Sequence, residues 1–179
     1  MVKLLSTGHV RNIGVANFSP HQIHELIRKS YVKPAVHQME LHPYLQQAEW
    51  VDFHQKHGIQ VTAYSPLGNM NPIYRKSAKR DKSADPPLLL ENKVMQKIAE
   101  RRGCTPAQVA LAWGMSRGTS VIPKSSHPEY IRQNYGSLEC RLNTKDNGEI
   151  KELGRKFLKR FNNPSESWGV NLFQGLDDA

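Results

Sequence analysis

A chain of 179 residues, 38% of them hydrophobic, can bury one ordinary core, and no run approaches the roughly 18 consecutive apolar residues of a spanning helix. Lysine and arginine (25) outnumber aspartate and glutamate (16), a formal charge of +9 that first suggests nucleic acid. The basic residues mostly alternate with acids along helices, as in Glu100-Arg101-Arg102 and Lys151-Glu152, so neither a nucleic-acid nor a membrane partner is expected.

In chain order, residues 1–5 are too short for the apolar region of a secretory signal. Residues 13–16 form the first short apolar run, read as a strand. Ile23, Leu26 and Ile27 then recur at helical spacing. A second strand is predicted over 35–40, a looser helix around Trp50, Val51, Phe53 and His54, and a third strand over 60–64. Residues 69–87 are polar, basic and flanked by proline, which reads as a loop. Its cluster of Arg75, Lys76, Lys79, Arg80 and Lys82 holds no aromatic ring to stack on bases.

Helical patterns resume at Lys93 and stop at Gly103. Thr105 caps the next helix, with Pro106 at its first position and Val109, Leu111, Ala112 and Trp113 on a broad apolar face to about Ser116. A fourth strand falls at Val121-Ile122, and a helix opens near Pro128. The last helix is predicted from Thr144 to about Arg160, with Ile150, Leu153, Phe157 and Leu158 inside. Cys104 and Cys140 lack C-x-x-C spacing and read as isolated thiols, which favours a reducing compartment, most simply the cytoplasm.

Strands alternating with helices imply an α/β fold of parallel strands and right-handed crossovers. Four such units make the C-terminal half of a (β/α)8 TIM barrel, a single incomplete domain over residues 1–179 with a tail from 161. Ligands of such folds bind at the C-terminal strand ends. Those ends carry the amides Asn17 and Gln38, the ring of Tyr64 beside Ser65, and Lys124-Ser125 ahead of a helix N-terminus. Amides, an aromatic face and a phosphate-binding corner suit a nicotinamide dinucleotide. A metal is not expected: His37 and Glu40 face opposite sides of a strand. His54 and His57 share a helix face without a third ligand and read as surface histidines.

Several of these segments are also similar to a known family. Residues 8–18 (GHVRNIGVANF) look like the G-x-V-R-x-I-G-V-S-N-F segment of aldo-keto reductases, and residues 34–44 (PAVHQMELHPY) resemble the strand that follows. Tyr64-Ser65-Pro66-Leu67-Gly68 and Ile122-Pro123-Lys124-Ser125 match two further signatures. Arg160-Phe161-Asn162-Asn163-Pro164-Ser165 and Trp168-Gly169-Val170 resemble the C-terminal loop of the glycerol dehydrogenase and aldehyde reductase branch.

The resemblance implies that Asn17 and Gln38 bond the nicotinamide carboxamide and that Tyr64 stacks on the ring. Ser65 and Leu67 would line the pyrophosphate path, Lys124 and Ser125 receive the 2′-phosphate of NADP(H), and Asn134 the adenine; Trp168 would meet substrate. Ala16, Tyr130 and Gln133 depart from the family's serine, arginine and glutamate. The family's tyrosine acid and its lysine, aspartate and histidine belong to the other barrel half, and the D-T-A-x-x-Y motif does not occur here, so no catalytic residue is assigned.

The function implied is NADP(H)-dependent reduction of aldehydes or ketones to alcohols by an N-terminally truncated member. The alternative is a catalytically dead fragment or nucleotide-binding module. Open sheet edges predict association, either with a second copy or with a complementary barrel half.

Overall fold

The computed structural model describes residues 1–69, 86–163, 165–169 and 173. The basic cluster at residues 75–82 therefore lies outside the described residues. The fold is α/β: four strands, β1 (Gly14–Ala16), β2 (Val36–Glu40), β3 (Gln60–Tyr64) and β4 (Ser120–Val121), stand in the order β1-β2-β3-β4. They are flanked by α1 (Lys3–Ser6), α2 (Pro20–Ser30), α3 (Ala48–Lys56), α4 (Lys93–Arg102), α5 (Pro106–Ser116), α6 (Pro128–Tyr135), α7 (Thr144–Lys156) and α8 (Ser165–Trp168).

β1 runs parallel to β2, with Gly14 opposite Val36 and Ala16 opposite Gln38. Gly14 is required by this approach, because a Cβ there would lie 2.6 Å from the Val36 carbonyl oxygen. The Gln60 N–H donates to Ala35 at 2.9 Å, and the Ile122 N–H donates to Ala63 at 3.2 Å, joining β3 to its neighbours.

The helix boundaries follow from local chemistry. Ser19 and Gln22 form a reciprocal capping box at α2, as do Thr105 and Gln108 at α5 and Asn143 and Asp146 at α7. Pro20 and Pro106 occupy first-turn positions, where a missing N–H costs nothing. Gly103 ends α4 at φ 63, a left-handed cap that favours glycine.

The last long helix stops at Lys156, four residues short of the predicted end. Beyond it the backbone leaves the helix so that its N–H groups can reach other partners. The Lys159 N–H donates to Tyr44 at 3.0 Å, and those of Phe161 and Asn162 donate to the Glu40 carboxylate. Leu158, predicted inside, is half exposed as a result.

The chain divides into two compact units: Met1–Met39, Gln47–Thr62 and Asn163–Ala179 in one, Glu40–Gln46 and Ala63–Asn162 in the other. In the first, Ile23, Val51, Ile59 and Val61 are buried together with His37 and His54. His54 is thus a core residue and not the surface histidine its spacing suggested. In the second, Tyr44, Leu89, Met95, Ile98, Val109, Trp113, Ile150 and Leu153 make the core. Tyr44 keeps its hydroxyl satisfied there, donating to the Pro87 carbonyl at 3.0 Å and accepting from Asn92 Nδ2 at 2.9 Å.

Asp146, fully buried, accepts from Arg101 and Arg102, each at 2.6 Å, tying α4 to α7. Cys104 and Cys140 are joined by a disulfide and are not the isolated thiols expected from their spacing. The pair brings together residues 36 apart, with Cα atoms 6.0 Å from each other. With both cysteines paired, no free thiol remains to indicate a reducing compartment.

Candidate functional site

In the first unit, β1 is followed by Asn17, whose backbone is in the left-handed region at φ 58. Its N–H donates to the Gln38 carbonyl at 3.0 Å, so the two predicted amide residues are neighbours across adjacent strands. Asn17 is exposed and Gln38 half-buried. Trp168 ends α8 and is largely exposed.

Beneath Asn17 lies a string of buried polar groups. The Phe18 N–H donates to His37 Nε2 at 3.0 Å, His37 Nδ1 lies 2.6 Å from His54 Nε2, and His54 Nδ1 reaches the Trp50 carbonyl at 2.5 Å. A backbone donor at one end and a backbone acceptor at the other leave one consistent proton pattern, with both rings neutral and protonated at Nδ1. Burial first, and the neighbouring His54 second, push His37 down to about 3; burial likewise lowers His54.

An unfolded chain protonates its histidines near pH 6.5, so between about pH 6.5 and 3 the unfolded state binds more protons. The stabilisation is complete above that window and is lost as pH falls through it. Between pH 7 and about pH 5, stability is expected to drop by about 2 kcal/mol. Urea midpoints measured at the two pH values check this, and His37→Leu should remove most of the difference.

In the second unit, β3 delivers Tyr64 and then Ser65, the latter at φ 48. Ser65 Oγ accepts from Asn162 Nδ2 at 3.1 Å, and Asn69 Nδ2 donates to Asn162 Oδ1 at 3.0 Å. Gly68 follows at φ 71, packed against Leu89 and Phe161, which turns the chain sharply beside Leu67.

β4 leads into Pro123, Lys124 and Ser125. Lys124 is exposed and forms no ion pair among the described residues; Ser125 is half-buried and its Oγ accepts from the His127 N–H at 3.1 Å. At the start of α6, His127 supplies no side-chain cap and Pro128 has no N–H, so the first turn keeps backbone N–H groups that no N-cap side chain satisfies. A cation, a hydroxyl and an uncapped helix start, adjacent in the chain, are the kinds of group a phosphate binds.

Asn134, on the same helix, is half-buried. Tyr130 is more than half exposed, its ring 5.2 Å from that of His127, and Gln133 donates to Glu129 at 3.3 Å.

The second unit also holds a clamp that the sequence did not signal. Glu40, fully buried, accepts from His42 Nε2 and the Phe161 N–H at 2.8 Å each and from the Asn162 N–H at 2.9 Å. Burial alone would raise its carboxyl, but these donors outweigh burial and hold it below the usual glutamate range. Asn162 thereby reaches Ser65. Its partner lies 122 residues away in sequence, and no short motif announces that. Among the described residues no three His, Cys, Asp or Glu side chains converge to hold a metal.

Strands alternating with helices in one sheet, as found here, make a partial α/β barrel. The aldo/keto reductase family model matches residues 1–155, and the chain belongs to that family.

An uncharacterized oxidoreductase of Schizosaccharomyces pombe is 44% identical over the whole chain and 52% of its own length. An NADPH-dependent D-xylose reductase of Meyerozyma guilliermondii is 40% identical, covering 90% of this chain and 50% of the relative. The structure of aldose reductase from Giardia lamblia superposes with a TM-score of 0.82 at 34% identity, covering 97% of this chain and 54% of that one. The chain thus spans about half the length of the relatives it matches. Among the described residues, no helix is long and apolar enough to cross a membrane.

Proposed function

We propose that this chain supplies the NADP(H)-recognising part of an aldo/keto reductase that reduces aldehydes or ketones to alcohols. A bound reduced nicotinamide would contribute the hydride; the chain's own residues bind and orient. Asn17 and Gln38 offer amide donors and acceptors to the carboxamide, and Tyr64 an aromatic face to the ring. Ser65 and Leu67 flank the pyrophosphate, and Asn134 the adenine.

The observation that carries the reading is the Lys124-Ser125 corner at the uncapped start of α6, where a dianionic 2′-phosphate meets a cation, a hydroxyl and backbone amides. Support also comes from relatives named NADPH-dependent or NAD(P)H-dependent D-xylose reductases, which favour a small polyol or aldehyde as substrate. Trp168 would then shape the substrate end.

Replacing Lys124 by methionine is expected to weaken NADPH binding ten- to a hundredfold, about 1.5–3 kcal/mol. NADH binding should change little. Fluorescence titration reads both, and an unchanged NADPH affinity would remove the 2′-phosphate assignment.

A second reading is a nucleotide-binding module without turnover. Following NADPH oxidation with a simple aldehyde separates the two: binding without oxidation supports the module, and turnover rejects it.

We also infer association. β1 and β4 end the sheet, and Ile122, Ile131 and Tyr135 around β4 and α6 are exposed. An open parallel edge with apolar neighbours favours a second copy or a complementary barrel half. Size-exclusion chromatography at micromolar concentration should show self-association or uptake of such a partner; a compact, inert monomer counts against both.

A further inference from the structure

The buried histidine string of the first unit bears on Asn17, although neither ring reaches the surface. Asn17 sits in the left-handed region at φ 58, which asparagine tolerates better than most residues, so the hydrogen bonds around it decide how firmly it is fixed. Two consecutive amides do that holding. The Asn17 N–H is fixed by the Gln38 carbonyl at 3.0 Å, and the Phe18 N–H by His37 Nε2, also at 3.0 Å.

His37 can accept that bond only while Nε2 carries no proton. This tautomer is enforced from behind: His37 Nδ1–H must donate to His54 Nε2, because His54 spends its own Nδ1–H on the Trp50 carbonyl. The register supports the same geometry, since His37 stands opposite Val15 in the β1–β2 ladder, two residues before Asn17.

The charged and titratable groups around the string are few. The His24 and His57 rings lie 5.2 Å apart and both touch Phe53, His57 adds to the lowering of His54, and Lys33 donates to the His57 carbonyl at 2.9 Å. His37 bonds instead to the Phe18 amide and to His54.

We propose that His37, locked in its Nδ1–H tautomer by His54, is a positioning residue for nicotinamide recognition: by holding the Phe18 amide it keeps the exposed Asn17 carboxamide aimed off the end of β1. The inference rests on the NADP(H) reading of Asn17. It goes beyond that reading by assigning a role to two fully buried residues that touch no ligand. It also sets two ligands apart. Loss of the bond should impair recognition of the nicotinamide end and leave the 2′-phosphate corner of the second unit unaffected.

The test uses the full chain and two probes, NADPH and adenosine 2′,5′-bisphosphate, which lacks nicotinamide. His37→Leu fills the space but offers no acceptor; His37→Gln restores an acceptor near the Nε2 position. NADPH affinity is expected to fall about tenfold in His37→Leu and to recover largely in His37→Gln, with adenosine 2′,5′-bisphosphate binding equally well to all three forms.

In the unsubstituted chain, hydrogen exchange at the Phe18 amide should be slow, and nitrogen chemical shifts should report both histidines neutral and Nδ1-protonated at neutral pH. Wild-type NADPH affinity in folded His37→Leu would overturn the inference alone. So would equal losses for both probes. Rapid exchange of the Phe18 amide would do so without any variant, should His37→Leu fail to fold. Failure of the unsubstituted chain to bind NADPH would overturn the underlying NADP(H) reading, and the positioning role with it.

Discussion

Replacing Glu40 by alanine is expected to destabilise the second unit by about 3 kcal/mol or more. The carboxylate is fully buried at the end of β2 and satisfies three donors: His42 Nε2 and the amides of Phe161 and Asn162. Removing it leaves an imidazole N–H and two backbone N–H groups without their acceptor, and each orphaned buried donor costs about 1–3 kcal/mol. Glu40→Gln retains the shape and one acceptor oxygen, so its cost should be smaller, about 1–2 kcal/mol.

The same bonds predict an acid limb. Because Glu40 is held below the ordinary glutamate range, its contribution is present above the unfolded value and disappears as pH falls through the folded one. Urea denaturation of the two variants beside the parent decides the matter. An alanine variant as stable as the parent would mean that water replaces the carboxylate at all three donors. The local consequence is equally specific: without Glu40 the segment around Asn162 loses its anchor, and with it the Asn162 bond to Ser65.

Reducing the Cys104–Cys140 disulfide should cost roughly 3–4 kcal/mol. The bond closes a loop spanning 36 positions and restricts the unfolded chain accordingly. Within that loop lie α5, β4 and α6, with Lys124, Ser125 and Asn134. The folded unit has independent reasons to keep this geometry. The α5 residues Val109–Gly114 are all buried, and Gly114 packs so close to Val121 that a Cβ would meet its Cγ1 at 2.8 Å. Reduction should therefore lower the unfolding midpoint while leaving the fold recognisable. Paired denaturation curves with and without a thiol reductant, and the same pair for Cys104→Ser, would show it. Coincident curves would indicate that the bond contributes nothing to stability in solution.

Much of the architecture could be read from local chemistry. The apolar runs marked all four strands to within about a residue, and the boundary of β3 at Gln60 and Tyr64 was met at both ends. The helix starts at Pro20, Pro106 and Thr144 carry their caps in adjacent residues, because a capping box is built within four positions of itself. The end of α7 was not legible. Phe157 and Leu158 continue an apolar period, yet the backbone leaves the helix to give amides to Tyr44 and Glu40, partners more than a hundred residues away.

His54 shows the same limit from another side. Spacing on α3 marks only which face it shares with His57; whether that face meets solvent or His37 is decided by the strand that packs there.

By itself, then, the amino-acid order determined the alternation of strand and helix, the family, and the residue types at the strand ends, since all of these reside in short contiguous patterns. Tertiary structure alone decided which of the polar residues became buried and bonded: Glu40 beneath the Asn162 segment, His37 between Phe18 and His54, Asp146 between two arginines, and Cys104 joined to Cys140. The physical reason is that a buried polar group must find a partner wherever folding brings one within about 3 Å, and that partner leaves no trace in the neighbouring sequence.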